Sequence, residues 1–185
     1  GIMAEKLSGG NTGLALLANS LATGAALFVL ITIFGPISGA HFNPAVTLVM
    51  RMKRAISSRD AMFYALTQIA GGITGVLVTH VMFDLTLMQT SVTARTGVGQ
   101  WIAEVIAAFG LIITILGSSR FAADKVAMAV ALYIVSAYWF TASTSFANPA
   151  VTIARSLTNT FAGIAPENAA AFIAAQLAGA LLGLV

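Results

Sequence analysis

Cysteine is absent from the 185 residues, which excludes disulfides and any Cys-ligated metal. Charge is nearly as scarce: Asp, Glu, Lys and Arg make up 8% of the chain, against roughly 25% in soluble domains. With 58% hydrophobic residues and a mean hydropathy of +0.93, that scarcity excludes a soluble domain and a disordered chain alike, leaving an integral membrane protein. The net charge of +3 is too small and too scattered for a nucleic-acid surface, so no nucleic-acid partner is expected. A secretory leader is not evident, because Gly1-Ile2-Met3-Ala4-Glu5-Lys6 has neither a basic n-region nor a small-residue cleavage site after one. Without an initiator Met, that start reads as a cut end.

Five runs are long and apolar enough to cross a hydrocarbon core of ~30 Å as helices. They lie at about Leu14 to Phe34, Ala61 to Phe83, Val98 to Gly117, Val126 to Ala142 and Ala169 to Val185. Two shorter apolar pieces, Pro44 to Met52 and Pro149 to Leu157, cannot span. Arg51, Lys53, Arg54 and Arg59 follow the first short piece, and Arg120 and Lys125 lie between the third and fourth spans. If the short piece re-enters without crossing, all six fall on one side, which the preference for cytoplasmic positive charge makes the inner one.

The chain repeats itself. Residues 38–47 read SGAHFNPAVT and residues 143–152 read STSFANPAVT, sharing Asn-Pro-Ala-Val-Thr in full. Downstream of each comes Gln-x-x-Gly-x-x-x-Gly, from Gln68 to Gly75 and from Gln176 to Gly183. Three spans separate the two short pieces, and an odd number of crossings puts the copies on opposite sides, pointing inward. That is an inverted repeat, a plan used where a permeation or substrate site lies near the midplane. The expected organisation is one domain, 1–185, with a first repeat 1–83 and a second repeat 98–185. Symmetry also predicts a further span before residue 1, with Gly1 to Ala4 as its tail.

Peptide geometry says what Asn-Pro-Ala does at the head of a short helix. Asn is a favoured N-cap, because its side chain accepts from the orphan amides of the first turn. Pro fits the next position, where its fixed φ suits the helix and its missing N–H is not needed. Asn43-Pro44-Ala45 and Asn148-Pro149-Ala150 therefore start half-helices whose positive ends converge and repel cations. The irregular stretches leading in, Gly35 to Phe42 and Thr141 to Ala147, survive at depth only where protein or a watery lumen satisfies their backbone groups.

With paired Asn-Pro-Ala motifs and the loop Ser38-Gly39-Ala40-His41-Phe42-Asn43-Pro44-Ala45, nearly the whole chain resembles the aquaporin, or major intrinsic protein, family. That resemblance implies an all-α fold of inverted transmembrane repeats with two re-entrant half-helices meeting at the midplane. It implies a passive channel, a homotetramer in the lipid bilayer, carrying water and small neutral solutes while blocking protons and ions, with no cofactor, no metal and no enzymatic activity. Asn43 and Asn148 would donate to the permeating molecule.

The same resemblance assigns a second constriction, and gap-free alignment puts its four positions at Thr23, Ser136, Ser145 and Val151. Water-selective members carry an aromatic, a His and an Arg among these, and none of the three stands here. Arg155 lies one helical turn beyond Val151, off the filter, and is expected at the pore mouth or in loop support. The expected pore is wide and without a filter Arg, so that exclusion of charge falls on the half-helix ends. Glycerol facilitators typically place Asp where Thr152 stands. The pattern is most similar to bacterial members associated with arsenic resistance, which implies glycerol-sized molecules or metalloid hydroxides such as arsenite, carried across the bacterial inner membrane.

His41 either lines the inner mouth or fixes loop carbonyls. His80, near a span end beside Asp84, is expected at the interface. Glu104 is the acid well inside a span, where burial is expensive; the resemblance makes it a structural acid binding the loop before Asn148. Gln68 and Gln176 share that supporting role. Gly71/Gly75 and Gly179/Gly183 permit close helix approach, expected between the two halves. Two other readings remain: a secondary transporter with the same inverted-repeat plan, and a non-conducting structural membrane protein.

Overall fold

A long apolar run in hydrocarbon has no water to satisfy its backbone and meets that need within itself by coiling into a helix. The computed structural model describes residues 1–184, and among the described residues there is no strand. The helices are α1 (Ile2–Leu7), α2 (Thr12–Ser38), α3 (Pro44–Met52), α4 (Ser58–Met82), α5 (Val98–Phe121), α6 (Val126–Phe140), α7 (Pro149–Arg155) and α8 (Pro166–Leu182), with one 3-10 turn at Ala123–Lys125. By length and composition α2, α4, α5 and the stretch Ala123–Phe140 can cross a membrane. At 17 residues, α8 is about 26 Å long, at the short end of a span. Its expected end at Val185 lies outside the described residues.

Capping sets most boundaries. Asn11 accepts from Leu14 N to open α2, and Ser57 accepts from Asp60 N to open α4. Gly39, in the left-handed region at φ 74°, closes α2. Ile2–Leu7, where the tail of an earlier span is expected, forms a short helix against α2.

The main packing pairs are α5 with α8, α2 with α6, α5 with α6 and α4 with α7. Small residues permit these approaches. A Cβ on Gly179 would overlap the Val105 carbonyl, and one on Gly183 would come within 2.9 Å of Phe109 O. Gly179/Gly183 therefore bring α8 onto α5 inside the second repeat. Gly71 and Gly75, expected to join the halves, have nothing within 4 Å of an added Cβ. Gly72 is the α4 glycine that meets a neighbour, 3.3 Å from Ala154 on α7.

Burial follows the same division. Six residues of α5 are buried, whereas His80 alone is buried on α4. The open face of α4 carries Met62, Phe63 and Leu66, apolar surface suited to lipid. Val49, Ala107, Ile112 and Ala180 form the centre of the core, wrapped around the two half-helices.

Candidate functional site

Both short helices begin with the same local geometry. Asn43 sits at φ −155°, ψ 120° and Asn148 at φ −155°, ψ 113°. Each side-chain oxygen accepts from its own first turn, Asn43 from Ala45 N at 2.9 Å and Asn148 from Ala150 N at 3.0 Å. Each side-chain nitrogen crosses to the other loop. Asn43 Nδ2 donates to Ala147 O at 2.7 Å, and Asn148 Nδ2 donates to Phe42 O at 2.8 Å. The accepting residues, Phe42 and Ala147, are both left-handed at φ 47°. That conformation costs a non-glycine residue about 1–2 kcal/mol, and it turns each carbonyl toward the opposite Asn. Reciprocal bonds between helix heads fix the two half-helices end to end, N-terminus facing N-terminus. An amide nitrogen carries two hydrogens, so each Asn keeps one N–H beyond this brace.

The loop before Asn148 is fastened from three sides. Fully buried Glu104 accepts from Phe146 N at 2.9 Å through Oε1 and from Ala147 N at 2.8 Å through Oε2. Gln176 Nε2 lies 2.6 Å from Glu104 Oε2 and 2.8 Å from Thr152 Oγ1, donating to both. Arg95, in the connection between α4 and α5, donates to Ser143 O, Phe161 O and Gly163 O. Burial, followed by the charge of Arg155, brings its pKa down to about 10, which leaves it a cation at neutral pH.

The loop before Asn43 has lighter fastenings. Gln68 Nε2 donates to Thr47 Oγ1 at 3.0 Å, matching Gln176 on Thr152 in the other repeat. His41 Nδ1 is 3.1 Å from the same Thr47 hydroxyl, and Tyr64 Oη donates to Ser38 O. His41 both lines the cavity described next and stands against the Tyr64 ring at 5.2 Å.

A cavity of about 210 Å³ runs past both Asn side chains. At one end it meets His41 and Met50; at the other it meets Thr23, Ser145, Val151, Tyr138 and Arg155. Three of the four expected filter residues therefore share a wall. Ser136 does not join them: it is exposed, and its hydroxyl donates to Tyr133 O at 2.7 Å. One α-helical residue turns through about 100°, so Ile134 and Tyr138 face the lumen from α6 while Ser136 faces away. Ser145 is 3% exposed, and its hydroxyl has no partner within the protein.

Arg155, expected at the mouth or in loop support, borders the cavity beside the filter residues. Helical side chains lean toward the N-terminus of their helix, so a long residue four places after Val151 reaches back over it. Its guanidinium lies 4.3 Å from the Phe146 ring centroid, and Nη2 donates to Tyr138 Oη at 3.2 Å. Thr23 uses its own hydrogen on Asn19 O at 2.8 Å. Tyr138, 3.3 Å from Thr23 Oγ1, is then the donor of that pair. The outer wall is a relay, Arg155 to Tyr138 to Thr23 to the α2 backbone.

Sequence reasoning missed Tyr138, Phe146 and Arg95. Phe146 stands between Ser145 and Asn148, and its position inside an otherwise small-residue loop was a usable signal. His80, expected at the interface, is fully buried within the protein near the end of α4. Its Nδ1 meets Leu87 O at 2.8 Å and its Nε2 meets Thr158 Oγ1 at 2.9 Å, tying the connection after α4 to the one after α7.

A profile described as major intrinsic protein matches residues 2–124. The chain is 53% identical over 184 residues to a protein of Rhizobium meliloti named Aquaglyceroporin AqpS, covering 100% of this chain and 78% of that one. It is 33% identical over 135 residues to the Glycerol uptake facilitator protein-like 6 of Lactiplantibacillus plantarum, across 66% of this chain and 62% of the relative. Human Aquaporin-4 is 32% identical over 123 residues, across 62% of this chain and 37% of its own length.

Proposed function

This chain belongs to the major intrinsic protein family, and from that premise we propose a passive channel for water and small uncharged solutes such as glycerol, not an enzyme. The observation that carries the reading is the cavity passing between two mutually braced Asn caps, each with a spare amide donor. A passing oxygen accepts from Asn43 and Asn148 in turn, and the solute reorients there. Pro44, Ala45, Pro149 and Ala150 hold those caps at the helix heads. Glu104, Gln68 and Gln176 support the loops. A coupled transporter is not favoured, because buried Glu104 is committed to two backbone amides and Gln176.

Thr23, Ser145 and Val151, with Tyr138 in the place expected of Ser136, form the selectivity filter of this proposal. Val151 and Ile134 give the wall an apolar side, while Ser145 offers an unpartnered hydroxyl. A compact neutral molecule with several hydroxyls suits both sides, which selects glycerol-sized polyols and neutral metalloid hydroxides such as arsenite. The R. meliloti relative, an aquaglyceroporin by name, supports the solute size and a bacterial plasma membrane. In this reading the two repeats, 1–83 and 98–185, act as one channel domain, and the family resemblance supports a homotetramer as its assembly.

Stopped-flow light scattering on proteoliposomes tests this reading. Fast shrinkage in an impermeant osmolyte, then re-swelling in glycerol and in neutral arsenite, is the expected result. Shrinkage without re-swelling rejects the wide filter and keeps the channel. Rates equal to those of empty vesicles reject the channel.

A further inference from the structure

Two arginines stand on one aromatic ring, and they are not equivalent. Arg95 lies 5.0 Å and Arg155 4.3 Å from the Phe146 centroid. Arg95 spends its Nε and both Nη groups on three backbone carbonyls, one in the loop before Asn148 and two in the connection after α7. Arg155 has one side-chain hydrogen bond among the described residues, to Tyr138. A guanidinium carries five N–H donors, and this one borders the cavity. Among the cavity-lining residues it alone bears a permanent charge. Neither Tyr138 nor Phe146, its two contacts, is anionic.

Resting on the channel reading above, we propose that Arg155 is the specificity-determining residue of this pore. It supplies from one turn further along α7 the fixed charge and spare donors that the short Val151 side chain cannot. Its positive charge in a narrow, low-dielectric lumen excludes cations, and its free N–H groups receive oxygens of neutral solutes. Tyr138 and Phe146 are positioning residues, one by a hydrogen bond and the other by its ring face. Arg95 positions Phe146. The small Val151 leaves the space into which the longer side chain extends, so the motif's departure and the displaced arginine are two parts of one arrangement. Exclusion of charge is then shared with Arg155 and does not fall on the half-helix ends alone.

The chain has no cysteine, which makes a single introduced thiol a clean probe. The full chain is reconstituted with Arg155→Met, Arg155→Lys or Arg155→Cys, and water flux is read by light scattering while cation leak is read with a pH-sensitive dye. Arg155→Met should raise leak by about tenfold or more, as loss of a focused charge in a confined lumen does, in vesicles that still conduct water. Arg155→Lys should stay tight. For Arg155→Cys, an aminoethyl methanethiosulfonate reagent should restore exclusion after folding, whereas the sulfonatoethyl reagent should not. Tyr138→Phe should give a leak between those of wild type and Arg155→Met.

Leak unchanged in an Arg155→Met channel that still conducts water overturns the inference. Should that variant fail to fold, the thiol decides: labelling of Arg155→Cys that alters neither leak nor solute flux overturns it equally. Wild-type water flux no faster than empty vesicles overturns the channel reading itself, and the inference falls with it.

Discussion

The loop before Asn43 and the loop before Asn148 share a motif, a left-handed residue before the cap and nearly identical cap torsions, yet they are held by different means. The second hangs on a buried carboxylate, which binds two consecutive amides and a glutamine, and on Arg95, which ties Ser143 O to the connection after α7. The first hangs on neutral groups, Gln68, His41 and Tyr64. The difference teaches that Asn-Pro-Ala-Val-Thr specifies the half-helix and its brace, while the fastening of each loop comes from whichever elements pack against it. The helices behind the loops differ in the same sense, α8 being pressed onto α5 while the Gly71/Gly75 face of α4 stands open.

The comparison breaks most readily at Glu104. Glu104→Ala orphans two buried amides at about 1–3 kcal/mol each, so we expect a loss of roughly 3–5 kcal/mol and collapse of water flux, seen by thermal unfolding in detergent and light scattering. A variant as stable as wild type would show that the carboxylate does not distinguish the loops. Gly179→Ala forces a methyl into the Val105 carbonyl and should cost about 1–3 kcal/mol, whereas Gly71→Ala should be neutral or stabilise by up to about 1 kcal/mol. Equal melting shifts for that pair would erase the contrast between α8 and α4.

Asn43→Ala and Asn148→Ala each remove a cap and one strand of the brace, about 2 kcal/mol. Because the brace is reciprocal, their effects on melting and on proton leak in a dye assay should match, and a large disparity would mean one loop stands without the other. The smallest contrast is Gln176→Leu against Gln68→Leu. The first breaks a bond to a charged group and should cost about 2 kcal/mol, the second about 1 kcal/mol, read from denaturation midpoints in mild detergent.

The half-helices were legible because Asn followed by Pro has one natural place, the head of a helix, and Pro44–Met52 formed as the pattern required. Three features were not legible. Ser136 was counted onto the pore wall by alignment alone, which ignores the rotation that carries Tyr138 there instead. Arg155 was kept off the filter by its distance along the chain and expected only at the mouth or in loop support, although side-chain lean toward the helix head brings it onto Tyr138. Arg95 acts through carbonyls of residues 48 to 68 positions away, and carbonyls leave no mark in a sequence.

The crossed bonds of Asn43 and Asn148 also limit how this molecule can move. Each loop's carbonyl is held by the other loop's side chain, so shifting either half-helix along the pore breaks two hydrogen bonds and disturbs two caps at once. The middle of the conduit therefore behaves as a keystone, stiff because neither part can yield alone. Opening and closing have to be sought at its two doors, the singly tethered imidazole of His41 and the guanidinium resting on Phe146.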